Sequence, residues 1–203
     1  MTTSTFAAAI LLSLVTGVSA VQSPASAPSP ESPNTATAAE LSSTDRAFIT
    51  TAAEGGKAEI ELGQLAQQKA STDAVKALGK RIADDHQQAN RDLETIAGEK
   101  HVALPSSLSA KHSALKSKLE SATGAAFDRQ YVAAMIEDHK HDIAEFEKAA
   151  SNAHDADVKA FASKTLPTLE EHLKMAQTTN GAVATSGTKP AAPTAKPTKA
   201  PTK

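Results

Sequence analysis

The sequence predicts an all-α protein whose folded part is an antiparallel bundle of four long helices. Three observations carry that prediction. Between residues 44 and 178 the apolar residues recur at three- and four-residue spacing, the period of one helix face. Ser, Thr, Asp and Gly stand where the period breaks, as helix caps do. Two of the joints between long periodic stretches are short, which sets the helices on either side antiparallel.

The first helix begins after Ser43 or Thr44 and runs to about Lys69. Ser71, Thr72 and Asp73 supply the cap of the second, which reaches about Ala97 before Gly98. After His101 to Pro105, Ser106 or Ser107 caps a short helix to about Ser121. Gly124 opens a third long helix to Ala150, and Asn152 to Asp155 turn the chain into the fourth, about Asp157 to Gln177. Pro167 inside that helix removes a backbone donor and is expected to kink it. Aromatics are scarce, so the core must be mostly Ala, Leu, Ile and Val.

The flanks have a different composition. Residues 1–20 carry the apolar run Phe6 to Val18 and then Val18-Ser19-Ala20, the small-residue pattern of a secretory signal peptide, although no Lys or Arg precedes it. That run of 13 residues falls short of the roughly 20 a membrane-spanning helix needs. The expectation is a periplasmic or secreted protein with no transmembrane helix in the mature chain. Residues 21–43 form a Pro/Ser/Ala-rich linker and residues 179–203 a Lys/Pro/Ala-rich tail, neither with enough apolar surface to bury a core. The tail carries Lys189, Lys196, Lys199 and Lys203 and no acid. Such an arm is a solubilising spacer or a weak contact with anionic envelope polymer. Residues 41–178 hold 21 acidic against 17 basic side chains, with no basic face and no interleaved aromatics, which argues against nucleic acid as a partner. Cysteine is absent, excluding disulfides and thiolate metal sites.

Projecting each long helix at about 100° per residue puts one polar, metal-competent group on each apolar face. Glu59 lies among Phe48, Ala52, Gly55, Leu62 and Ala66. His86 lies among Val75, Leu78, Ile82, Ala89, Leu93 and Ile96, with Asp85 at the stripe's edge. His139 is centred among Val132, Met135, Ile136, Ile143 and Phe146, and His172 sits within Val158, Phe161, Ala162, Leu169, Leu173 and Ala176. Their positions along the helices bring the four toward one level. Three imidazoles and a carboxylate suit a single divalent ion, Zn, Fe, Mn or Cu. The rival is a metal-free polar network in which Glu59 accepts protons from the histidines, with Tyr131 helping and Asp85 and Asp128 as further members. Asp128 and Tyr131, two or three turns from His139, are placed for hydrogen bonding at the bundle end rather than ligation. His101, His112 and His154 are expected at the surface, and both His141 and the pair Asp138-x-x-His141 point outward in phase. Catalysis is not indicated: there is no Gly-rich phosphate loop, no nucleophile beside a base and no paired carboxylate on a buried face. A redox enzyme would need an open coordination position.

The stretches EGGKAEIELGQLA (54–66), ADDHQQAN (83–90), FDRQYVAAMIEDHKHDIAEFEK (127–148) and FASKTLPTLEEHLKMA (161–176) resemble the bacterial exported ferritin-like family known as domain of unknown function four-one-four-two. The resemblance implies a ferritin-like bundle with a long crossover between helices two and three, for which the short helix ending at Ser121 fits. No reaction comes with the family. Ferritin di-iron centres use Glu-x-x-His, yet Ala83, Ile136 and Leu169 stand three residues before His86, His139 and His172. The sequence therefore points to a single-ion site in metal homeostasis or envelope stress, or to a structural module of the envelope.

Overall fold

The computed structural model describes residues 40–186, and no strand occurs among them. Five helices follow in order: α1 Ser43–Lys69, α2 Asp73–Glu99, α3 Ala110–Ser121, α4 Gly124–Asn152 and α5 Ala156–Ser186. The expected signal peptide, nearly all of the linker and the tail beyond residue 186 lie outside the described residues. No described helix is long and apolar enough to cross a membrane.

The caps explain most boundaries. Ser42 accepts from the Asp45 amide at 3.0 Å to open α1, and Thr72 accepts from Val75 to open α2. Asp155 accepts from the amides of Asp157 and Val158 at the start of α5. Helix α2 ends beyond Gly98: His101 takes φ 54°, while its amide bonds to Gly98 and that of Val102 to Ala97. This is the paired closure of a Schellman motif with histidine in the left-handed position. Helix α3 starts at Ala110, later than the serines at 106 and 107 suggest, because Ser109 caps it by accepting from the His112 amide. The Ser109 amide is itself held by Glu54 of α1 at 2.6 Å.

Helix α1 packs along α2 and α4 along α5; α2 also meets α5, α1 meets α4, and α3 lies against α1 and α4. The α1–α2 contact is close. A Cβ added at Gly63 would come within 2.4 Å of the Gly79 carbonyl, and one at Gly79 within 2.6 Å of the Ala66 Cβ. Two apolar clusters form the core. One gathers Leu62, Leu78, Ile82, Phe127, Tyr131 and Met135, the other Ile49, Leu93, Phe146, Val158, Phe161 and Leu169. Glu59, His86, His139 and His172 lie in sequence between members of the two clusters on their own helices, and all four are buried.

Helix α5 corrects the expected end of the domain. It passes through Pro167 and continues to Ser186, so residues 179–186 are helical where a tail was expected. Burial of Val183 against the Phe127–Tyr131 cluster outweighs the poor helix propensity of Thr178 to Gly181. The hydroxyls of Thr178 and Thr179 bond back to the carbonyls of Lys174 and Met175.

Candidate metal centre

The four side chains singled out on the helix faces do converge. His86, His139 and His172 each bring one ring nitrogen within 4.8 Å of the others. Glu59 stands beside this triad, with Oε2 2.8 Å from His86 Nε2 and Oε1 3.2 Å from His139 Nδ1. The close approaches are not aligned as hydrogen bonds: both Glu59 oxygens and His86 Nε2 are buried without a hydrogen-bond partner. A buried carboxylate in that condition is costly unless something else compensates it.

The other two histidines pose a problem of proton counting. His139 Nδ1 lies 2.9 Å from the Met135 carbonyl, which can only accept, so that nitrogen carries the hydrogen. His172 Nε2 lies 2.8 Å from Asp85 Oδ2, and a carboxylate likewise accepts. Neutral imidazole has one N–H, so the lone pairs of His139 Nε2 and His172 Nδ1 face each other across 3.1 Å. An extra proton or a cation must bridge them. Burial pushes His172 down to about 4, with His139 and His86 adding to the effect and Asp85 opposing it, so an extra proton on His172 itself is disfavoured. Two imidazole nitrogens on one tetrahedral Zn at about 2.0–2.1 Å would stand about 3.3 Å apart. The pattern carbonyl–His and carboxylate–His behind the converging lone pairs is the usual outer support of metal-bound imidazoles.

The charges suit a cation as well. Burial alone would raise Glu59, but His86 and His139 hold it down at about 2, and the same pairing raises His86 against its own burial. Burial would also raise Asp85, which hydrogen bonds from Arg81 and His172 keep below the ordinary carboxylate range. Asp142, 26% exposed, is pushed up to about 7, first by burial and then by the charges of Glu59 and Asp138. The folded state thus prefers a protonated Asp142. Its contribution to stability is complete below about pH 4 and is lost as pH rises through about 7. Asp142→Asn should therefore stabilise the metal-free chain by about 1–2 kcal/mol at pH 8 and leave it unchanged near pH 4. Urea titrations at the two pH values check this, and equal effects at both would rule it out.

The remaining candidates separate. Asp85 belongs to the cluster through His172. Asp128 hydrogen-bonds at the bundle end, as its distance from His139 along the helix leads one to expect: it joins α4 to the α1–α2 turn by accepting from the amides of Ser71 and Thr72 and from the Ser71 hydroxyl. Tyr131 is not a member of a hydrogen-bonded network, since its hydroxyl has no partner. The ring stacks on Phe127 at 5.9 Å and its hydroxyl points toward the α2 backbone at Gly79. Tyr131→Phe should leave stability unchanged or raise it by up to about 1 kcal/mol in thermal unfolding. A loss of that size would reveal an interaction of the hydroxyl that this geometry lacks.

His112 corrects the surface assignment. It is buried, with Nδ1 2.9 Å from the Glu54 carboxylate and Nε2 3.8 Å from Asp138, which also meets Lys111 at 3.0 Å. Asp138 therefore faces α3 instead of solvent. Asp45, also buried, ties the α4–α5 turn to α1 by accepting from the amides of His154 and Asp155. Sequence periodicity carried no signal for either contact, since both join elements far apart in the chain.

Fold and site together define an all-helical protein with a buried histidine triad beside a carboxylate. The chain belongs to the family described as Domain of unknown function (DUF4142), whose model matches residues 30–179. No curated protein matches in sequence. Among solved structures, a DUF305 fragment from Deinococcus radiodurans is similar in fold, with TM-score 0.61, 16% identity, 71% of this chain and 98% of that one covered. CopM in its Cu(II)-bound form gives TM-score 0.59 at 17% identity over 68% of this chain and 96% of its own. Its Cu(I)-bound form gives 0.56 at 19%, covering 66% and 93%.

Proposed function

We propose that this protein binds one divalent metal ion through His86, His139 and His172, with Glu59 as the balancing carboxylate, inside an exported ferritin-like four-helix bundle. The observation that carries the reading is the pair of opposed lone pairs on His139 and His172, each fixed from behind by a hydrogen-bond acceptor. Imidazole donors with one carboxylate suit Zn, Cu, Fe or Mn, and the absence of a sulfur donor among them disfavours soft monovalent ions. The Cu(II)-bound CopM structure supports the reading by a protein of like fold that takes a divalent metal. Helix α3, placed between the α1–α2 and α4–α5 pairs, has the position of a ferritin-like crossover. Metal homeostasis or envelope stress is the setting that export would give such a site. The cluster itself is made of imidazoles and carboxylates with no hydroxyl or amine nucleophile among them, so a binding role is preferred to an enzymatic one.

A metal-free module of the envelope is the second reading, favoured by the Glu59–His86 contact, which alone would make a buried ion pair. Elemental analysis of protein purified from the periplasm without an affinity tag, beside a Glu59→Ala/His139→Ala double variant, separates the two. Near-stoichiometric metal in the parent and none in the variant is the expected result. A parent that stays metal-free after incubation with Zn, Fe, Mn and Cu, and gains no thermal stability from them, would sink the metal reading.

A further inference from the structure

The triad is sealed: His139 and His172 are fully buried and His86 is 6% exposed. An ion must nevertheless reach it. A cavity of about 180 Å³ opens among α1, α2, α4 and α5, and its wall includes His86. The same wall carries the adjacent His141 and Asp142 of α4 and, one turn on, Glu145, with Lys148 as the nearby cation and apolar Phe48 and Phe146 around them. His141 is 63% exposed and its Nδ1 stands 3.5 Å from Asp142 Oδ1, while Asp142 is only 26% exposed. Exposure falls inward from His141 through Asp142 to His86, whose Nε2 has no hydrogen-bond partner.

We propose that His141 and Asp142 form a staging site that takes a divalent cation from solvent and passes it through this cavity to His86. The inference rests on the metal-binding reading above and names the route to the same site. A second opening of about 140 Å³ also reaches His86 and His172. Its lining carries the ion pair Lys164–Asp92 at 2.7 Å, and its inner carboxylate, Asp85, is engaged by Arg81 and His172. Both carboxylates of that opening are thus already engaged, whereas Asp142 and Glu145 at the first have no Lys or Arg partner among the described residues. His141 and Asp142 act here as positioning residues for entry, not as ligands of the final site.

The test is the rate at which the metal-free full chain takes up Co2+, followed by its visible absorption after rapid mixing. At pH 8, where Asp142 is ionised, Asp142→Asn should slow loading at least tenfold and leave the final Co2+ per chain unchanged. Gly55→Phe should do the same by a different means, because Gly55 lines the cavity and a Cβ there meets nothing within 4 Å, so the ring can fill the passage. Asp92→Asn, at the other opening, should load at the parental rate. Parental rates in both Asp142→Asn and Gly55→Phe, or slow loading in Asp92→Asn alone, would overturn the route while leaving the binding site intact. A parent that takes up no Co2+ would overturn the site and the route together.

Discussion

Adding Zn2+ or Cu2+ to the metal-free chain at 100 times its dissociation constant should raise the unfolding free energy by about 2.7 kcal/mol. For a helical domain of this size that is a rise of roughly 5–15 °C in the midpoint of thermal unfolding. His172→Ala should abolish most of the gain, because it removes one of the three converging nitrogens. The gain should also depend on pH in a definite direction. His86 is raised by Glu59, so its pairing stabilises the metal-free fold fully below the unfolded pKa of about 6.5 and less as pH rises through the folded value. A proton on His86 competes with the ion over the same range. Both effects make the metal-induced rise larger at pH 8 than at pH 6. His172, held at about 4, prefers the neutral form, so the metal-free fold loses stability as pH falls from about 6.5 toward 4. It adds no proton competition until that lower limit. Differential scanning calorimetry with and without metal at pH 6 and 8 decides the matter, and a shift that is equal at both, or larger at pH 6, would contradict the assignment of His86 as a ligand.

The periodicity of single helices made both the helices and the buried groups legible before any coordinates. Glu59, His86, His139 and His172 stand out because an ionisable group on an apolar stripe violates the local pattern, and such violations mark sites. The triad's finer order was not legible that way. A helical wheel places Glu59 at the same level as the histidines, yet it gives no side-chain reach or rotamer, and the structure sets Glu59 beside His86 and His139 instead of among the converging nitrogens. His112 escaped for a related reason. On the short, weakly amphipathic α3 its neighbours in sequence say nothing, and its burial comes from Glu54 and Asp138 on two other helices. The α5 extension escaped because Thr178, Thr179, Asn180 and Gly181 read as a helix stop, and only the burial of Val183 just beyond overrides them.

Gly63→Ala should destabilise the fold by about 1–3 kcal/mol and weaken metal binding with it, the larger of two opposite effects expected at glycines of the same helix. Replacing Gly by Ala inside a helix would ordinarily gain about 0.8–1 kcal/mol from propensity. At Gly63 the new methyl would meet the Gly79 carbonyl at 2.4 Å and the Ala83 Cβ at 3.0 Å. The first of these is backbone, which cannot swing aside, so relief requires α1 and α2 to move apart, and overpacking of that kind costs more than the propensity gain. Glu59 lies one turn before Gly63 on α1, and His86 lies one turn after Ala83 on α2. Separating the two helices there pulls the carboxylate from the imidazole it now approaches at 2.8 Å. Gly55→Ala is the control, since its methyl would meet nothing within 4 Å and should stabilise α1 by about 0.5–1 kcal/mol. Chemical unfolding of both variants and a metal titration of each provide the measurement. If Gly63→Ala proves as stable as Gly55→Ala and binds metal like the parent, the close helix approach is not what sets the spacing between Glu59 and His86.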